Sequence, residues 1–411
     1  MIRIFNTLGK KVETFHPVSR NVVNIFTCGP SVYQRSHIGN FRTFLFEDIL
    51  VRYLEYSGYS VRRGMNFTDI EDKAIREAVK KRTTVNRLTS ENIRHFLKEM
   101  RLLRIKIPDY LPKASESVDQ AVEIIEKLII LKCAYWHKGN VYFDPLTFRG
   151  FGRLFGLDMS RWPAKRKRFH KDTYPGIQWN LGDFILWHGY KKGDRYYWNT
   201  KIGKGRPSWN VQDSSMISRY FHETLSIYCG GFDNLFRHHD YTLAILESVN
   251  PYPMAKYWLH GGHLYINGHK MSKSKGNILY TSDLRKLGYT IPEIRFFLIY
   301  GQYRARLNYS ERQMGTVADK LRGFRKIVKA IEKVAAEKTG SSHEGSERGV
   351  RIYPIKDSFV RNMENDLNVK EAFDCLLGIL SGIRVDALEP AAASVMIKDL
   401  RDIDQVLQVI F

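Results

Sequence analysis

The chain has 411 residues, 43% of them apolar and 26% charged, the balance of a soluble globular protein that is long enough for two or more domains. No apolar run approaches bilayer length and the first 27 residues hold no signal-like stretch, which argues against a membrane span or secretion and reads as cytoplasmic. A formal net charge of +22 favours polyanionic partners such as nucleic acid or an anionic lipid surface.

In chain order, 22–28 is apolar and β-rich, and Gly29-Pro30 closes it with turn chemistry. Phe46, Ile49, Leu50, Tyr53 and Leu54 then recur at helical spacing, Gly58 ends that helix, and 61–68 reads as the next strand. Strand, helix and strand in this order predict a parallel pair with a right-handed crossover, the start of a doubly wound sheet. From 112 to 206 the texture changes to one amphipathic helix at 118–131 and short aromatic segments broken by Gly and Pro, as in an insertion. Alternation returns at 207–259, where Cys229-Gly230-Gly231 precedes His238-His239 and a strand is expected at 257–260. From Glu311 the pattern is helical, interrupted by a polar break at 338–351 and resumed with Val369, Phe373, Leu376, Leu377 and Leu380 on one face. The expected fold is α/β, a Rossmann-type doubly wound parallel sheet with an inserted subdomain, followed by an α-helical bundle. Its expected parts are 1–111 and 207–262 for the two halves of the sheet domain, 112–206 for the insertion, 263–310 for a connecting region, and 311–411 for the bundle.

Two segments carry chemistry. Ser36-His37-Ile38-Gly39-Asn40 stands at the expected start of the first helix. A helix N-terminus offers unpaired N–H groups and partial positive charge to a phosphate, Gly39 permits close backbone approach, and His37 and Asn40 can donate to phosphate oxygens. In isolation, a histidine there more often simply caps a helix. Lys270-Met271-Ser272-Lys273-Ser274 puts two lysines in a small polar loop suited to neutralising a leaving pyrophosphate, although most such pentads are solvated loops.

Together, in this order and separation, the two segments resemble the HIGH and KMSKS signatures of class I aminoacyl-tRNA synthetases. Thr27-Cys28-Gly29-Pro30-Ser31-Val32-Tyr33, the run 66–73 from Asn66 to Lys73, Tyr257-Trp258-Leu259-His260, the stretch 301–310 and Glu364-Asn365-Asp366-Leu367-Asn368 narrow the resemblance to cysteinyl-tRNA synthetases. The resemblance implies activation of an amino acid, cysteine, by ATP and Mg2+ as an aminoacyl-adenylate, then transfer to tRNA. It implies that His37, Asn40, Lys270 and Lys273 act on ATP, and that Cys28, Gly29, Thr68, Trp209 and Asp233 hold the amino acid.

The sequence departs from that family at its zinc site, whose ligands are two cysteines, a histidine and a glutamate. Cys28 and His238 match, but Asp213 stands at the second cysteine and Thr242 at the glutamate. Cys28, Asp213 and His238 make the remaining candidate set for Zn2+, expected to bind it weakly, and Cys229 is a substitute thiolate or a small core residue. Cys133 and Cys375 stand apart, and no C-x-x-C pair suggests a disulfide framework. The expected helical bundle reaches the last residue, so no further small anticodon-recognising domain is expected after it, a feature shared with a ligase of mycothiol biosynthesis that joins cysteine to an amino sugar. A paralogue passing an activated amino acid to a small amine or carrier is therefore the alternative. A non-catalytic RNA-binding relative is a third reading, opposed by the intact motif residues. The basic run at 161–171, with Lys165, Arg166, Lys167 and Arg168 consecutive, suits RNA phosphates or a solvated loop equally.

Overall fold

A computed structural model of the chain describes residues 1–161, 182–271, 275–337 and 353–411. Lys273, the basic residues 165–168 and the polar break at 338–351 lie outside the described residues.

Four parallel strands form the central sheet, in the spatial order Ala255–Gly261, Leu225–Gly231, Val22–Thr27, Ser60–Met65. The two middle strands are almost wholly buried, as expected of a sheet covered by helices on both faces. Ile25, Ile227 and Leu259 pack toward the helix Ile38–Tyr56 and the C-terminal helices. Phe26, Tyr228 and Trp258 pack on the other side, toward Val118–Ile130, Trp209–Ser218 and Tyr241–Val249. The helix Ile38–Tyr56 joins Val22–Thr27 to Ser60–Met65 on one flank, and the later strands add on the opposite flank. The strand order therefore reverses between Val22–Thr27 and Leu225–Gly231. A crevice opens beyond the carboxyl ends of strands at such a point.

The short aromatic segments between the two halves are strands. Ala134–His137, Asn140–Phe143, Phe184–Gly189, Gly203–Pro207 and Trp198–Thr200 lie in that order in one antiparallel sheet. Gly203–Pro207 passes into the helix Trp209–Ser218 through Ser208 alone, whose Oγ accepts from Asn210 N at 3.3 Å as the N-cap. Beyond the parallel sheet, Leu264–Ile266 and His269–Lys270 form a hairpin whose turn residues, Asn267 at φ 48° and Gly268 at φ 78°, have the positive φ values a two-residue hairpin requires. That hairpin carries Lys270 outward into solvent.

Glu311–Ala336, Ile355–Met363, Val369–Ser381 and Pro390–Leu407 follow as helices. Met314, Ala318, Leu321, Phe324, Val328 and Ile331 make the buried stripe of the first. All but Ala318 share one core with the helix Ile38–Tyr56. No helix among the described residues is long and apolar enough to cross a membrane.

Candidate functional site

The crevice at the strand reversal is lined by residues at the ends of five elements. Cys28 and Gly29 follow Val22–Thr27, Thr68 follows Ser60–Met65, and Gly231, Asp233, Asn234 and His238 follow or end Leu225–Gly231. Trp209 opens its own helix, and His37 and Asn40 lie at the start of Ile38–Tyr56. Backbone pairing closes the floor, with Cys28 N donating to Cys229 O at 2.9 Å. Gly29 N donates to Asn66 Oδ1 at 2.7 Å, and a Cβ on Gly29 would strike the Asn66 carbonyl oxygen, so the approach requires a glycine.

His37 does cap the helix. Its Nδ1 accepts from Asn40 N at 3.4 Å while Asn40 Oδ1 accepts from His37 N at 3.0 Å, a reciprocal capping box. With Nδ1 accepting, the ring proton belongs on Nε2, where it can be donated. Burial lowers the His37 pKa, with Asp233 opposing, so the neutral tautomer prevails near neutral pH. The cap thus fixes the tautomer of a donor on the wall of the crevice.

The lysine hairpin meets the same helix start. Ile38 N donates to Leu279 O at 3.0 Å, and a Cβ on Gly39 would stand 2.5 Å from Met271 Cε. Two motifs far apart in sequence are therefore packed together, and Lys270 is carried on the strand that precedes Met271.

Elsewhere in the crevice, Trp209 stacks on His238 with ring centroids 4.0 Å apart and planes 10° from parallel. Thr68 is 2% exposed, and its neighbour Asn66 reaches both Thr68 Oγ1 at 3.5 Å and Asp213 Oδ1 at 2.9 Å. Asp233 is the acidic side chain among those lining the crevice.

Asp213 touches one of its expected partners, His238, but is not in the group of converging donor atoms. It is fully buried, and its carboxylate takes bonds from Asn66, from the Tyr228 hydroxyl at 2.8 Å and from His238 Nε2 at 2.9 Å. The donor atoms that converge are those of Cys28, His238 and His239, all within 4.8 Å of one another. His239 was not among the expected ligands. It comes into place because Leu235–Asp240 is a π-helical turn, a distortion frequent at functional sites. Thr242 spends its hydroxyl on His238 O at 2.8 Å. Cys229 points to the opposite face of its strand from Gly230 and is buried with Ile227 and Leu259, so it cannot substitute for a ligand. Burial first, then the charge of Asp213, raises the Cys28 thiol well above its ordinary pKa.

The family described as tRNA synthetases class I (C) catalytic domain matches residues 14–319. The cysteine–tRNA ligase of Chlamydia muridarum is 34% identical over 428 residues, covering 99% of this chain and 87% of that protein. The cysteine–tRNA ligase of Geobacillus thermodenitrificans is 33% identical over 413 residues, covering 100% and 86%. Among solved structures, Mycobacterium tuberculosis methionyl-tRNA synthetase in complex with methionyl-adenylate superposes with a TM-score of 0.63 at 13% identity, over 95% of this chain and 90% of that one, a likeness of fold. With a family match across most of its length and relatives above 30% identity from end to end, the chain belongs to the cysteinyl-tRNA synthetase family of class I aminoacyl-tRNA synthetases.

Proposed function

We propose that the protein activates cysteine with ATP as an enzyme-bound aminoacyl-adenylate and passes the aminoacyl group to tRNA. The observation that carries this reading is the packing of Met271 on Gly39, with Leu279 O on Ile38 N, at the open end of the parallel sheet. It sets Met271, next to Lys270, against a helix start whose cap fixes a donating histidine.

The chemistry asks the protein for position and charge rather than covalent participation. A carboxylate oxygen of the amino acid attacks the α-phosphorus of MgATP, and pyrophosphate leaves. A terminal ribose hydroxyl of tRNA then attacks the acyl carbon, and AMP leaves. His37 Nε2–H and the Asn40 amide donate to phosphate oxygens as negative charge grows there. Lys270, and Lys273 in the adjoining segment, neutralise the departing pyrophosphate. Gly29 and Thr68 shape the amino-acid pocket, Trp209 walls it, and Asp233 attracts the α-ammonium. The relatives named cysteine–tRNA ligase, aligned over nearly the whole chain, support cysteine and tRNA as the substrates.

The test is ATP–pyrophosphate exchange screened across the standard amino acids. Exchange that depends on cysteine is expected. Exchange with no amino acid, or with another one only, would remove the cysteine assignment.

A further inference from the structure

We propose that Lys73, with Gln34 on the adjoining loop, receives the terminal nucleotide of the tRNA acceptor end, Lys73 taking its phosphodiester and Gln34 a ribose hydroxyl. The proposal deepens the function proposed above and rests on it. The contacts proposed there for ATP and the amino acid leave one polar wall of the crevice unused.

Two segments that run side by side build this wall. Thr68 N donates to Pro30 O at 3.3 Å and Val32 N to Thr68 O at 3.2 Å, so the loop after Val22–Thr27 is paired to the turn after Ser60–Met65. Gln212 Nε2 holds that turn by donating to Ile70 O at 2.6 Å, and Ser115 N donates to Asp69 Oδ1 at 2.9 Å. The turn leads into the helix Asp72–Lys80, whose second residue is Lys73. The Lys73 ammonium stands 5.5 Å from the centre of the Tyr33 ring, within cation–π range. Tyr33, Gln34, Arg35 and Lys73 all line the crevice, and Arg35 and Lys73 are the arginine and the lysine among its described lining residues.

The chemistry of the wall fits a nucleotide that carries one negative charge and a ribose diol. Gln34 Oε1 is buried and has no hydrogen-bond partner, which costs free energy until a donor arrives. A ribose hydroxyl is such a donor. Lys73 is partly buried, and burial lowers its pKa while Glu71 opposes. A partly dehydrated ammonium attracts a phosphate oxygen more strongly than one in open water. The helix that carries Lys73 is also fastened to the antiparallel sheet, since Arg206 pairs with Asp72. The Tyr196 hydroxyl adds a bond to Asn86 Oδ1 at 2.5 Å, in the next helix, Val85–Leu102. This sheet and its loops expose Lys191, Lys192, Arg195 and Lys204, against the single acid Asp194 in 190–206. A basic surface is thus joined to the wall, as suits a polyanionic strand that ends there.

The test separates transfer to RNA from activation. Adenylate is formed on the full-length enzyme with cysteine and MgATP, and its single-turnover transfer to subsaturating tRNA is compared with transfer to hydroxylamine, a small nucleophile without phosphate. In Lys73→Met the ratio of the two rates is expected to fall by about 10–100-fold, the size of one charge-assisted contact, and Lys73→Arg should restore most of it. Gln34→Leu should lower the ratio by about 3–10-fold. The slope of log tRNA affinity against log salt should become shallower by about 1 in Lys73→Met. A measurement on the wild type needs no variant to fold. There, tRNA whose terminal diol is oxidised to a dialdehyde should form a Schiff base with Lys73, fixed by borohydride and located by peptide mass spectrometry. Labelling confined to other lysines, a ratio unchanged in Lys73→Met, or pyrophosphate exchange falling as far as transfer would overturn the proposal. Cysteine-dependent exchange with no transfer to tRNA in the wild type would instead remove the function on which it rests.

Discussion

His37 serves both as a helix cap and as a wall of the crevice, and the two duties can be separated. Asparagine caps helices well but lacks the reach of an imidazole Nε2. His37→Asn is expected to keep the thermal midpoint near that of the wild type while slowing adenylate formation by ~10² or more, read by pyrophosphate exchange. His37→Ala should show the same loss together with about 1 kcal/mol of destabilisation from the missing cap. Near-normal exchange in His37→Asn would remove the histidine from the chemistry. This position was legible in the sequence, because a His and an Asn three apart before an apolar run signal a helix start whatever else they do. His239 was not legible. Adjacent residues on an α-helix point about 100° apart, so consecutive histidines do not read as converging on one point. The π-turn that brings the rings of His238 and His239 to 5.5 Å has no sequence signature of its own.

At the scale of elements, the helix Ile38–Tyr56 is held by buried charge as well as by apolar packing. Asp48 accepts from Arg295 Nη2 at 2.6 Å, from Arg52 Nε at 2.9 Å and from Lys106 N at 2.7 Å. Arg295 in turn donates to Leu407 O and Leu103 O, both at 2.8 Å, and Arg52 to Gln405 O at 3.0 Å. One carboxylate thus fastens the first crossover helix to Ile291–Ile299, to the loop at 103–106 and to the last helix. Burial alone would raise the Asp48 pKa, but Arg295, Arg52 and the Lys106 N–H outweigh it and hold it below the usual value. A carboxyl depressed in the folded state stabilises it above the unfolded pKa, near 4, and that contribution is lost as pH falls through the folded value. Asp48→Ala should cost about 3–5 kcal/mol at neutral pH, because it leaves Arg295 buried and unpaired. Denaturant unfolding at pH 7 and pH 3 checks both parts, and the gap between wild type and variant should narrow at the lower pH. A variant as stable as the wild type at pH 7 would show that the network is dispensable. Sequence periodicity predicted this helix from its apolar residues alone, and nothing in the sequence marked Arg42, Glu47 and Asp48 as the buried charges they are. Arg42 and Asp48 find partners in Leu298 O and Arg295, 256 and 247 residues away. The antiparallel sheet was legible only as a change of texture, because its strands are three to six residues long and too short for a clear alternation.

Across the whole molecule, Asp366 draws the two ends of the chain together. It accepts from Phe5 N at 2.8 Å, Gln302 Nε2 at 2.9 Å, Tyr303 OH at 3.1 Å and Arg304 Nε at 2.8 Å, and its own N–H donates to Arg3 O at 2.9 Å. The N-terminal hairpin, the segment behind the lysine hairpin and the helical bundle are joined at this point. Asp366→Ala is expected to cost about 1–3 kcal/mol through the unpaired donors it leaves, measurable by denaturant unfolding. A loss below the error of the measurement would show that the three parts hold together without it. The same positions had marked themselves in the sequence as resemblances, whereas the reason for them is visible only where the segments meet. The net charge of +22 bears on the proposed tRNA substrate. The logarithm of tRNA affinity should fall linearly with the logarithm of salt concentration as lysines and arginines displace counterions, and affinity independent of salt would exclude phosphate contacts as its source. The central claim is tested most directly by incubating the purified protein with ATP, Mg2+, radiolabelled cysteine and total tRNA, and counting label in acid-precipitable RNA. The account predicts ATP-dependent, ribonuclease-sensitive incorporation. Cysteine-dependent pyrophosphate exchange with no label on tRNA would contradict it.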